Sequence, residues 1–160
     1  MSLKLGTADG YDNIYYTYIL REIRGFLLDS SNFGGIYISP KIEPNISQSI
    51  RLWGDNVVTE ESWNDKYIKN YSVDINLYMK TNNINENFYK VFYQESERVY
   101  QLMYNNKKSS NSTLAYYAGE VSEIVYNEFE DEESEIDGLF KANFQFNCLV
   151  DRVTTASINT

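Results

Sequence analysis

Glu60 and Glu61 are adjacent carboxylates, as are Glu132 and Glu133, and such pairs are the raw material of glycoside hydrolysis. That chemistry needs one acid kept protonated in an apolar pocket while the other ionises. Neighbouring acids in polar stretches do not achieve the split. The chain has no histidine, which removes the usual general base near neutral pH and the commonest metal ligand. Asp131, Glu133, Glu135 and Asp137 alternate, but the glycine and closing glutamate do not fall where a calcium-binding loop of roughly twelve residues requires them. The single cysteine, Cys148, reads as a small buried hydrophobe. These residues predict a protein that is not an enzyme and that holds no metal or cofactor.

The charge is concentrated in one place. Between Ser109 and Phe140 there is no Lys or Arg, and that stretch carries Glu120, Glu123, Glu128, Glu130, Asp131, Glu132, Glu133, Glu135 and Asp137. The chain's net charge is −9, so the remaining sequence balances. Residues 128–138 therefore read as an acidic hairpin turn with two meanings open: a solvated tip kept soluble by like charges, or a docking element. For docking, Glu130, Asp131, Glu132, Glu133, Glu135 and Asp137 would meet a basic partner, setting orientation and association rate.

Aromatic residues raise the same choice between structure and contact. Tyr89, Tyr93, Tyr100 and Tyr104 recur at helical spacing beside an aliphatic stripe, which predicts either wider core coverage or a subunit interface. Trp53 and Trp63 bracket a polar connection from Gly54 to Lys66. Both indoles either cap the end of a sheet or anchor a subunit contact.

The elements that must position these groups are legible from periodicity. Phe140, Ala142, Phe144, Phe146, Cys148 and Val150 alternate with Lys141, Asn143, Gln145, Asn147 and Asp151, the signature of a half-buried strand. Tyr67, Lys69, Tyr71, Val73, Ile75, Leu77 and Met79 do the same against Asn70, Ser72, Asp74, Asn76 and Lys80. Each predicted strand spans roughly 40 Å, and each presents an uncovered amide-rich face. Tyr11 to Asp29 reads as a first amphipathic helix, capped by Asp9 or Thr7, and a second follows a cap at Asn83 or Asn85. A strand around Ile36 and Ile38 precedes Pro40, which confines it to a sheet edge or a bulge. Ser49 to Trp53 forms a short strand, and Val121 to Phe129 pairs with the Phe140 strand as a hairpin. The fold class is α+β: about five strands in a mostly antiparallel or mixed sheet, with two helices on one face, in the order helix, three strands, helix, two strands.

Composition bounds the rest. The 160 residues, 42% of them hydrophobic, suffice for one well-filled core, so residues 1–160 are expected to form a single domain, with residues 1–8 and 155–160 as flexible termini. No stretch approaches the ~20 apolar residues of a membrane span, and Met1 to Gly10 lacks the features of a secretion signal, so synthesis in the cytoplasm is expected. The acidic balance argues against a surface that grips phosphates.

This element order, closing on a strand that reads Ala142, Asn143, Phe144, Gln145, Phe146, Asn147, Cys148, Leu149, Val150, Asp151, Arg152, resembles the tail terminator proteins of long-tailed bacteriophages over most of the chain. The resemblance implies a structural virion protein, assembled in the host cytoplasm. It would form a homo-oligomeric ring, by implication a hexamer, on the tail tube protein and present a surface to a head-completion or neck protein. DNA would be passing cargo only. In such a ring the amide-rich face, Asn70, Ser72, Asn76, Asn143, Gln145 and Asn147, is expected to face the channel, uncharged and so neither gripping nor repelling DNA. The acidic turn and the Trp-flanked connection depart from the family's texture. The alternative is an acidic α+β binding, adaptor or inhibitor domain acting through its acidic hairpin; it would be a monomer or dimer with a strongly salt-dependent partner.

Overall fold

The computed structural model describes residues 13–29, 35–40, 48–111, 113–129, 133 and 136–153. Two helical segments and one long helix lie on a five-stranded sheet. The strands are β1 (Ile36–Ile38), β2 (Gln48–Ser62), β3 (Lys66–Lys80), β4 (Tyr117–Tyr126) and β5 (Leu139–Val153). Their spatial order is β1-β2-β3-β5-β4. β1 runs parallel to β2, and every other pairing is antiparallel. The mixed sheet, the α+β class and the predicted element order all stand.

β3 and β5 follow the alternation read from the sequence. Their register sets Val73 opposite Phe146, Ile75 opposite Phe144 and Leu77 opposite Ala142, so one face of the paired strands is apolar throughout. β2 adds Ile50 and Leu52 to that face, opposite Leu77 and Ile75. β1 ends just before Pro40 at the sheet edge, where a residue without a donor interrupts nothing.

The connection expected from Gly54 to Lys66 is instead strand. β2 runs on to Ser62 and turns tightly into β3, with the Trp63 amide bonded to the Lys66 carbonyl at 2.7 Å. Val57, Val58 and Thr59 are β-branched residues suited to pleated backbone, and they pair with Tyr71, Asn70 and Lys69. Register shifts between Gly54 and Asn56 and between Thr59 and Glu61 break the period-two pattern, which is why it does not show in the sequence. The two strands thus form a long arm whose outer strand is exposed from Asp55 onward.

The first helix also differs from expectation. It opens as a π-helical segment, Ile14–Leu20, and continues as α1, Arg21–Asp29. Asn13 caps it, its side chain accepting from the Tyr16 amide at 3.1 Å. Asp9 and Thr7 lie outside the described residues. Ile14, Tyr15, Tyr16, Thr17 and Tyr18 are β-branched or aromatic and favour tight α-packing weakly.

α2 (Glu86–Asn105) starts on the Asn85 cap, which accepts from the Phe88 amide at 2.9 Å. It buries Phe92, Ser96, Val99 and Met103, one side chain per turn. Phe92 meets Phe140 with ring centroids 5.9 Å apart, and Ile19, Ile23 and Leu27 from the first helix join the same cluster. Both helices therefore cover the apolar face.

The opposite face is not open along its whole length. Asn76 is 1% exposed and Tyr78 2%, and Ser49 and Lys141 are buried with them. Glu133, from the connection between β4 and β5, folds over this end of the sheet.

Candidate interaction surface

The amides expected to line a channel are mostly fastened to one another. Asn76 accepts from Arg51 Nε at 2.8 Å and donates through Nδ2 to Asn143 Oδ1 at 2.7 Å. Arg51 Nη2 also donates to Asn76 Oδ1, and Nη1 reaches the Ser39 carbonyl at 3.2 Å. Ser72 Oγ donates to Asn147 Oδ1 at 2.6 Å, and Asn147 Nδ2 donates to Ser122 Oγ at 3.1 Å. These residues are neighbours across the ladder, so each of the two chains of bonds joins three strands, β2, β3 and β5 in one and β3, β5 and β4 in the other. Asn76 is sealed, whereas Asn143, Gln145 and Asn147 are half-buried.

Glu133 accepts from Lys141 Nζ at 3.1 Å, with both side chains less than a tenth exposed. It also bonds the Tyr78 hydroxyl, and burial, aided by this bond, pushes that phenol's pKa well up. Lys141 lies 5.7 Å from the centre of the Tyr78 ring. Glu133 is therefore an internal ion-pair partner rather than part of a solvated tip. A carboxylate beside a buried ammonium is held in place by the cost of leaving either charge alone. Glu130, Asp131, Glu132 and Glu135 lie outside the described residues, and Asp137 is exposed.

Toward the arm the face is open and anionic. Glu60 and Glu61 on β2 and Glu120 and Glu123 on β4 flank Asn70 and Asn147, and all four carboxylates are exposed. A cleft of about 400 Å³ lies between them, lined by Glu60, Glu61, Asn70, Tyr117, Glu120 and Asn147. At its wall Asn70 Nδ2 donates to Glu60 at 3.3 Å, and its Oδ1 is buried with no hydrogen-bond partner among the described residues. Tyr117 donates to Asp151, and that bond holds the Tyr117 pKa up at about 12. Lys66 pairs with Asp151 at 3.5 Å.

Trp53 occupies the same face, opposite Asp74, and is 40% exposed; Trp63 at the arm's tip is 54% exposed. Neither indole folds back into the core. Tyr89, Tyr93 and Tyr104 are also exposed, with Tyr93 edge-on to Tyr126 at 5.2 Å. Tyr100, by contrast, is half-buried and packs against the core beside the Phe92, Val99 and Met103 stripe.

Arg51, Lys141 and the β4 carboxylates were not singled out by sequence reasoning. Arg51 and Trp53 alternate with Ile50 and Leu52, so period two already places both on the polar face. Glu120 and Glu123 were hidden inside the acidic run. Only the pairing of β4 with β5 puts them beside Asn147 and Gln145. Among the described residues no group of three or more His, Cys, Asp or Glu could hold a metal, and no helix is long and apolar enough to cross a membrane.

The architecture is that of a mixed five-stranded sheet with helices on one face, a long two-stranded arm and a second face divided into a latched end and an open acidic end. No family model matches the chain, and no curated protein matches it. A solved structure does: a chain from the virion of a native gene transfer agent particle superimposes with a TM-score of 0.66, covering 88% of this chain and 100% of that one. Sequence identity is 8%, so the likeness is one of fold.

Proposed function

We propose that this protein is a structural component of a phage-like virion, acting as a tail terminator that closes the tail tube as a ring of identical subunits. The observation that carries the proposal is the fold match, over 88% of this chain, to a chain of a gene transfer agent virion. A fold does not fix a function, but three features of this chain suit an assembly role. The arm extends exposed backbone and the exposed side chains Val57, Val58 and Trp63 beyond the core. Tyr89, Tyr93 and Tyr126 form an aromatic patch elsewhere on the surface. Two unlike surfaces on one subunit make a heterologous contact, the kind that closes into rings.

In this reading the ring, by resemblance a hexamer, stacks on the tail tube protein and receives a head-completion or neck protein. The chain contributes contacts rather than catalysis. DNA is cargo, and the carboxylates of the open face repel its phosphates. Native mass spectrometry and negative-stain imaging of the purified protein, alone and mixed with tail tube protein, test the proposal. Closed rings of one stoichiometry support it. A monomer under every condition, including on assembled tubes, rejects it. The adaptor alternative rested on a free acidic hairpin, and burial of Glu133 removes one of its contacts.

A further inference from the structure

We infer that the open half of the polar sheet face is a docking surface for an extended Lys- and Arg-bearing segment of another protein. Glu60, Glu61, Glu120 and Glu123 converge on it from the two strands flanking β3 and β5, and among the described residues none has a cation within ion-pair distance. Lys66 is paired with Asp151 and Lys141 with Glu133, Arg51 is bonded to Asn76, and Lys107, which shares a cleft with Glu120, has its ammonium 4.1 Å from the centre of the Tyr104 ring. The surface thus presents uncompensated negative charge, and its complement is positive.

Two further observations favour a peptide over a simple ion. Trp53 stands on the same face, 40% exposed, where the flat side of an indole takes a guanidinium or ammonium. Among the described residues the outer edge of β2 is also unpaired beyond Leu52, because β1 pairs with Ile50 to Leu52. An extended segment can lie along that free edge and reach the cleft beside Asn70. Duplex DNA is a poor fit, since its phosphates meet four carboxylates. The inference does not rest on ring formation.

The test uses the full-length protein and a synthetic peptide of about ten residues alternating Arg and Thr, followed by calorimetry. Binding is expected, and its affinity should fall steeply between about 50 and 300 mM NaCl. Combining E60Q, E61Q and E120Q should weaken it at least about tenfold, the sum of several exposed ion pairs. E86Q with E97Q removes two exposed acids from α2 and should leave affinity unchanged. All five positions are exposed, so the variants keep the fold. The inference is overturned if the triple variant binds like the parent, if the α2 variant weakens binding equally, or if duplex DNA or millimolar calcium binds and displaces the peptide. Subunit mass is read from the same samples. Rings that ignore the peptide overturn this inference alone, and a monomer that binds it overturns only the ring.

Discussion

The ring of Tyr15 occupies the space where Gly54 would carry a side chain: a β-carbon there would lie 2.7 Å from the ring's outer carbon. The Tyr15 hydroxyl reaches past it to donate to the carbonyls of Ser72 and, at 3.1 Å, Asn56. It thereby ties the first helix to both strands at the register shift where the arm leaves the core. Burial raises the Tyr15 pKa to about 12, so the phenol keeps the proton these contacts need.

Two variants at this junction should separate packing from hydrogen bonding. Gly54→Ala forces the ring aside, and overpacking of this kind costs about 1–3 kcal/mol. Tyr15→Phe keeps the ring but removes the hydroxyl that the Ser72 and Asn56 carbonyls share, for about 1–2 kcal/mol. Urea denaturation reads both losses. In Tyr15→Phe, amide exchange should quicken first in Asn56 to Val58 and Asn70 to Ser72. Uniform quickening across the sheet would contradict a local clasp.

The Glu133–Lys141 pair should behave as a unit. Glu133→Ala strands a buried ammonium and should cost about 3–5 kcal/mol, with Lys141→Met alone in a similar range. Removing both charges, as Glu133→Leu with Lys141→Met, should recover most of the loss. A double variant as unstable as the sum of the singles would mean the two groups act independently.

Glycines 25 and 138 should respond in opposite directions. Gly138 has φ of +74°, and a β-carbon would come within 2.0 Å of the Thr81 carbonyl oxygen. Gly138→Ala should therefore lose more than about 2 kcal/mol. Gly25 lies in α1 with open space around it, so Gly25→Ala should gain about 1 kcal/mol from helix propensity. Thermal melts of the two variants on either side of the parent would bear this out, and a destabilised Gly25→Ala would contradict it.

Alkaline pH should unfold the protein through its buried phenols and thiol. Burial lifts Tyr71 and Cys148 to about 12, from ordinary values of 10.0 and 9.0, and lifts Tyr116 further. In the unfolded chain these groups release protons at their ordinary values, whereas the folded protein retains them. Above pH 9 the unfolded state binds fewer protons, so the stability that is complete below this pH is lost progressively toward 12. Tm should fall between about pH 9 and 11, by roughly 2–4 °C per kcal/mol lost. Absorbance at alkaline pH should also show a late-titrating class of tyrosines. A flat Tm across that window would refute the assignment.

What was readable beforehand follows from how local each signal is. The alternation in β3 and β5 is carried by consecutive residues, and it gave both strands and the side each residue faces. The outer half of β2 escaped because its register shifts and polar residues erase period two, although Val57, Val58 and Thr59 hinted at strand. The latch escaped for a different reason. Nothing near Glu133 in the sequence says that a β5 lysine on the polar face will need a counter-charge, and only the way the β4–β5 connection folds back supplies it. Charge summed along the chain placed the acids in one run, whereas strand pairing carries Glu120 and Glu123 to the open face.

The arm offers the clearest separation between folding and assembly. Val58 and Trp63 are 51% and 54% exposed, and the described chain gives them little to pack against beyond Lys66, whose ammonium lies 5.6 Å from the Trp63 ring centre. Replacing them by Val58→Thr and Trp63→Ser should leave the denaturation midpoint nearly unchanged, within roughly 0.5 kcal/mol, as for surface positions generally. If the arm is what one subunit inserts against the next, the same pair should abolish rings, because exposed aromatic anchors dominate interface energy. Native mass spectrometry of the double variant beside the parent distinguishes the outcomes: a stable monomer assigns the arm to subunit contact, and intact rings move that contact to the tyrosine face of α2, where Tyr89→Ser with Tyr93→Ser becomes the decisive variant.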